Sequence, residues 1–133
     1  METKPLLLIA EDDPDNQMLF QEAIQVACGP TLETHFVWDG FELVDFLKTN
    51  SGYRTGAIVL DLNMPGKDGR TALREIKTDP DLAHIPVVVL TTSQNEQDLQ
   101  YCQNYGVSGY YHKPSSMHEL KKIFNTLCVD YIN

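Results

Sequence analysis

Long hydrophobic runs are missing from this chain of 133 residues. None approaches the roughly 18 apolar residues that a membrane-spanning helix needs. The one apolar stretch near the start, in METKPLLLIAEDD, runs into acids and not into a small-residue cleavage site, so it reads as a first strand and not as a signal peptide. Basic residues are scarce as well. Ten Lys and Arg against 19 Asp and Glu leave a formal charge of −9. Binding to a nucleic-acid backbone requires clustered cations, and none are present. Acidity is common among soluble proteins, so the charge excludes more than it identifies. Cysteine is also sparse. Cys28, Cys102 and Cys128 are odd in number and widely spaced, giving neither a disulfide framework nor a metal-ligand spacing, and reduced thiols in a cytoplasmic protein are expected. His35, His84, His112 and His118 show no ligand spacing and read as surface or loop residues. Repeats, low-complexity segments and a linker to a second domain are all absent, so residues 1–133 read as one domain with one core of ordinary size.

What is present is an alternation of short apolar runs with longer amphipathic ones. PLLLIA (5–10) reads as a buried strand, and Pro14 suits the first turn of a helix that places Leu19, Ala23, Ile24 and Ala27 on one face. ETHFVWDG (33–40) is a second strand with its turn, and FELVDFLK (41–48) a second helix. A polar loop over 49–56 leads to the strand AIVLD (57–61). RTALREIK (70–77) is a third helix, and TDPDLAHI is a connector whose prolines and acids discourage regular structure. PVVVLTTS (86–93) is the clearest strand, continuous and β-branched. NEQDLQYCQNYG (95–106) is a helix closed by Gly106. SGYYHKP (108–114) is a short fifth strand, and the last helix opens at Ser116 with Glu119 three residues on, a capping-box spacing. Trp38 and the phenylalanines read as core. LKKIF (120–124) reads as a solvated helix face. Strands apolar throughout, each followed by a helix, imply an α/β fold with a parallel sheet covered on both faces.

In such open sheets, chemistry collects outside the carboxyl ends of the strands. Here those ends carry Glu11, Asp12 and Asp13 after the first strand, Asp61 after the third, Thr91 and Thr92 after the fourth, and Lys113 and Pro114 after the fifth. Carboxylates crowded on one rim raise each other's pKa unless a cation intervenes. Mg²⁺ suits the donor set, because it takes one or two carboxylates and a carbonyl while keeping several waters. A rim with Mg²⁺ and a lysine would stabilise an incoming phosphoryl group, with Asp61 as the nucleophile forming an aspartyl phosphate.

The stretches EDD, LDLNMPGKDG, VVVLTTS and YYHKP, in this order and over essentially the whole chain, resemble the receiver domain of bacterial two-component response regulators. The resemblance implies a flavodoxin-like (βα)5 fold with strand order 2-1-3-4-5. It implies Asp61 as phosphoacceptor, with Thr91 and Lys113 binding the phosphoryl oxygens. It further implies a Mg²⁺ site in which Asp12 binds directly, Glu11 through water, and Asn63 through its backbone carbonyl, alongside Asp61. Pro114 follows the lysine, in the family often through a cis peptide. Tyr110 matches the aromatic that turns inward when Thr91 moves, while Tyr111 faces the other way. Thr92 stands where many receivers carry a smaller residue, and its bulk would narrow access to the phosphoryl group. The long loop at 49–56 and the connector KTDPDLAHIP are similar to those of stand-alone regulators partnered with phytochrome-type histidine kinases.

The implied function is a stand-alone signalling phosphoacceptor that catalyses only its own phosphorylation and dephosphorylation. Its partners would be a histidine kinase and a downstream protein or phosphotransfer partner, with a homodimer among the assemblies common in the family, and its output face would be the fourth helix, fifth strand and fifth helix. Two other readings compete. A phosphatase of the haloacid-dehalogenase kind also uses an aspartyl phosphate, but it wants a second Asp where this chain has Asn63. A degenerate receiver serving only as a docking surface would not need Glu11, Asp12, Asp61, Thr91 and Lys113 together. Asp13, just before Pro14, is expected to cap the first helix and nothing more.

Overall fold

A computed structural model of the chain describes residues 5–49 and 54–132. Its elements run β1 (Leu6–Ala10), α1 (Pro14–Cys28), β2 (Thr34–Val37), α2 (Gly40–Thr49), β3 (Thr55–Leu60), α3 (Gly69–Thr78), β4 (Val87–Thr91), α4 (Glu96–Asn104), β5 (Gly109–His112) and α5 (Met117–Leu127), closed by a π-helical turn at Cys128–Ile132. The five strands pair in parallel in the order β2-β1-β3-β4-β5, as expected. The first residues of the chain, part of the 49–56 loop and Asn133 lie outside the described residues.

The period-two alternation of strand side chains builds two cores. Leu7, Ile9, Val59, Val88 and Leu90 point to the layer of α1 and α5, where they meet Phe20, Ala23, Ile24, Leu120, Phe124 and Leu127. Leu8, Ala10, Ile58, Leu60, Val87 and Val89 point the other way, onto Leu43, Leu47, Leu73, Ile76 and Cys102 of α2, α3 and α4. Both faces are buried, so the strands carry no polar alternation. The phenyl rings of Phe20 and Phe124 meet edge-on with centroids 5.7 Å apart, locking α1 to α5.

Several expectations are corrected. The buried face of α1 runs through Phe20, Ala23 and Ile24, with Ala27 partly buried. That i, i+3, i+4, i+7 phase leaves Leu19 45% exposed. Trp38 and Phe41 are 58% and 60% exposed, not core. Trp38 lies beyond the last β1–β2 pair, Ala10 with Val37. Phe41 instead covers Gly66, whose φ of 68° demands glycine, and holds the Lys67 ammonium 5.0 Å above its ring. Cys28 and Cys128 form a disulfide that joins the end of α1 to the end of α5. Cys102 is the free thiol, and burial pushes its pKa up to about 11. A sequence separation of 100 positions between the bridged cysteines hid the pairing, because only the docking of α1 on α5 brings them together. The bond before Pro114 is trans, as are all the described peptide bonds.

The connector before β4 is irregular, as read, yet Leu82 and Ile85 are buried. Lys77 fastens it by donating to the Ala83 and Ile85 carbonyls at 3.1 and 2.9 Å. The four histidines are exposed, and His35 stacks on Phe46 at 4.3 Å.

Candidate functional site

Parallel β1, β3 and β5 deliver their chain exits to one rim, which is why Glu11, Asp61 and Lys113 converge from distant parts of the sequence. Lys113 Nζ lies 2.6 Å from Glu11 Oε1 and donates to Asp61 Oδ2 at 3.0 Å. The backbone aligns the lysine, since its amide donates to the Thr91 carbonyl at 2.7 Å. The other Asp61 oxygen, Oδ1, accepts the Asn63 amide at 3.0 Å. The loop after Asp61 closes tightly. Gly69 donates to the Leu62 carbonyl at 3.0 Å, and any side chain at Gly69 would run into the Asp61 carbonyl.

Glu11 is 1% and Asp61 4% exposed, whereas Asp12 opens to solvent. Donor oxygens of these three carboxylates all lie within 4.8 Å of one another. Burial pushes the Glu11 carboxyl above its usual range, partly offset by the Lys113 ammonium and the Asp13 amide. Burial pulls Lys113 down, but Glu11 and Asp61 outweigh it and hold the ammonium above its ordinary pKa. Three carboxylates facing one ammonium leave a local excess of negative charge. Glu11 Oε1 is buried, with the Lys113 ammonium 2.6 Å away. Two buried carboxylates beside an exposed third form a cluster of hard oxygen donors that fits a divalent cation.

Asp13 caps α1, accepting the Asp15 amide at 2.9 Å. Thr91 is fully buried at the end of β4, and its hydroxyl oxygen accepts the Ser93 amide at 3.1 Å. Tyr110 is half-buried against the α2–α4 core, and Tyr111 packs on the opposite one. Thr92 is exposed. The structure thus joins Glu11, Asp12, Asp61, Asn63 and Lys113 directly and places Thr91 and Tyr110 on neighbouring strands.

Sequence reasoning passed over four polar residues around the site. Gln17 donates to the Glu11 carbonyl at 2.6 Å. Arg70 and Asp98 form a two-pronged ion pair, with both contacts at 2.6 Å, and Ser93 donates to the same carboxylate at 2.6 Å. Arg70 and Asp98 stand 28 residues apart on different helices, so no local spacing announces them.

Residues 7–125 match the family described as the response regulator receiver domain. Response regulator Rcp1 of Synechocystis sp. is 38% identical over 124 residues, spanning 89% of this chain and 82% of Rcp1. Among solved structures, the phosphorylated cyanobacterial phytochrome response regulator RcpA superposes with a TM-score of 0.86 at 36% identity, covering 97% of this chain and 94% of RcpA. The Mn²⁺-bound form of Rcp1 gives 0.83 at 36% identity, covering 98% and 96%.

Proposed function

Since this chain belongs to the response regulator receiver family, whose members are phosphorylated by histidine kinases, we propose that it takes a phosphoryl group onto Asp61 and signals by the resulting change in shape. The observation that carries this reading is the Lys113 ammonium set between the buried Glu11 and Asp61 carboxylates beside Asp12. We read the cation as Mg²⁺, held by Asp12, Glu11, Asp61 and the Asn63 carbonyl. When bound, it neutralises charge on the transferring phosphoryl oxygens.

An Asp61 carboxylate oxygen forms the new P–O bond while the P–N bond to the donor imidazole breaks, and the imidazole nitrogen keeps the bonding electron pair and takes up a proton. Lys113 pairs with the oxygens of the arriving group, drawing on the same ammonium that now offsets two carboxylates. The Asn63 amide fixes the orientation of the Asp61 carboxylate before the donor arrives. Thr91 then turns its hydroxyl to a phosphoryl oxygen, Tyr110 follows, and the face of α4, β5 and α5 changes for a downstream partner. Water reverses the modification at the same site, so the protein catalyses only its own phosphorylation and dephosphorylation. We read it as a cytoplasmic regulator. Its kinase is of the phytochrome type, by analogy with RcpA, and its partners are proteins and not nucleic acids.

Incubation with Mg²⁺ and acetyl phosphate, followed by intact-mass measurement, tests the core of this reading. One added phosphoryl group is expected, lost on treatment with hydroxylamine and absent from Asp61→Asn. Neither an adduct nor release of free phosphate, from protein that binds Mg²⁺, would sink it.

A further inference from the structure

Two loops flank the acidic cluster, and a chain of polar contacts outside it ties them together. On the β3–α3 side, Arg70 Nη1 reaches the Leu62 carbonyl at 3.4 Å, one residue after Asp61. The Tyr101 hydroxyl donates to the Arg70 carbonyl at 2.9 Å, holding the first turn of α3 against α4. Across the gap, Asp98 takes the Arg70 Nε and Nη2 protons on its two oxygens. One of these oxygens, Oδ2, also accepts from Ser93 Oγ. Ser93 in turn spends its amide on Thr91 Oγ1. Contacts therefore run without a break from Leu62 through Arg70, Asp98 and Ser93 to the Thr91 hydroxyl. Asp98 is only 8% exposed and both of its oxygens are engaged, so the link is well ordered and directional.

Tyr110 packs beside this chain, its hydroxyl buried next to Ser93. Ser93 gives its own proton to Asp98, so its oxygen can serve Tyr110 only as an acceptor.

We propose that Arg70 and Asp98 are positioning residues that latch the β4–α4 turn, holding the Ser93 proton on Asp98 and the Thr91 oxygen on the Ser93 amide. The latch rests on the proposed reading of the site, because it opposes the movement that brings Thr91 to a phosphoryl group on Asp61. When it opens, the turn is free to move and the Thr91 hydroxyl is released. A phosphoryl group must supply the free energy that separates Asp98 from Ser93, so a weaker latch means tighter binding of anything that mimics the phosphorylated state.

The test is the affinity of the Mg²⁺-loaded full chain for beryllofluoride, a phosphoryl mimic, measured by calorimetry after Mg²⁺ affinity has been measured alone. Asp98→Asn and Arg70→Gln are each expected to tighten beryllofluoride binding about fivefold or more, the low end of ordinary coupling between sites. The double variant should gain no more than either single one, since one latch breaks only once. Ser93→Ala keeps the ion pair and cuts only its link to the turn. It should tighten binding too, and it serves if the charge variants fold poorly. Unchanged or weaker beryllofluoride affinity at unchanged Mg²⁺ affinity would overturn the latch, as would a parallel change in Mg²⁺ affinity, which marks damage to the site. A wild-type protein that binds Mg²⁺ but not beryllofluoride would overturn the reading of the site and the latch with it. Wild-type binding without a gain in the variants removes the latch alone.

Discussion

The rim at the carboxyl ends of the strands and the clamp at the far ends of α1 and α5 stabilise the molecule in opposite ways. The clamp is held by apolar contact and a covalent bond. Phe124 is fully buried against Phe20, the Cys28–Cys128 bond crosses from α1 to α5, and Ile132 lies so close to Gly56 that a Cβ there would meet its side chain. At the rim, the Glu11 and Asp61 carboxylates share one ammonium, with Asp12 beside them. Apolar contact and a covalent bond suit a region that only has to stay folded. Unbalanced charge suits a region that, under the proposed function, receives a cation and a phosphoryl group, and the imbalance costs stability when both are absent.

Changes at the clamp should therefore cost stability and leave the chemistry alone. Phe124→Ala is expected to lower the unfolding free energy by about 3–5 kcal/mol through the cavity it leaves. Denaturant titration would show this, while the folded fraction still accepts a phosphoryl group from acetyl phosphate. Cys128→Ser, or reduction of the bridge, removes a constraint on a long loop and should cost about 2–5 kcal/mol with Mg²⁺ affinity unchanged. At the rim the sign reverses. Asp61→Asn ends phosphorylation yet should raise the unfolding free energy of the metal-free protein by about 1 kcal/mol, because Glu11 then has one fewer carboxylate beside it and no rival for the Lys113 ammonium. If Asp61→Asn melts below wild type without metal, the crowding is not a cost and the contrast between the two regions fails.

How much of this could be read from the sequence depends on the distance over which each feature is encoded. β-Branched runs such as VVVLT and the acids that end β1 and β3 are local signals, and the parallel order followed once four motifs resembled one family. The convergence of Glu11, Asp12, Asp61 and Lys113 was legible for the same reason, since strand ends in a parallel sheet share a rim. The phase of α1 was misread at Leu19 because that helix carries apolar residues around much of its circumference, including exposed Met18 and Val26. Trp38 and Phe41 were misplaced because hydrophobicity alone does not say whether a residue lies past the last strand pair. Neither the Cys28–Cys128 bridge nor the Arg70–Asp98 pair has any local spacing. Both exist only after helices far apart in sequence have packed.

The Arg70–Asp98 pair lies between the two regions in character, charged like the rim but satisfied like the clamp, and pH separates these aspects. Hydrogen bonds from Arg70 hold the Asp98 carboxyl below its usual range, against burial, which pushes it up, and Ser93 adds to the lowering. The same contact raises the Arg70 pKa. A depressed folded-state pKa gives stability that is fully present above the unfolded value, about 3.9, and is lost as pH falls through the folded value. Arg70 stays charged throughout this range, so the loss belongs to Asp98, with Asp68 the other acid facing the guanidinium, at 3.9 Å. Wild type should exceed Asp98→Asn by about 1–3 kcal/mol at pH 7, the ordinary contribution of a hydrogen bond to a charged group. The difference should persist to about pH 5 and shrink below about pH 4. Urea denaturation of both proteins across that interval measures it directly. A gap that stays constant to pH 3 would mean that Asp98 contributes through packing and not charge, and the pair would then belong with the clamp.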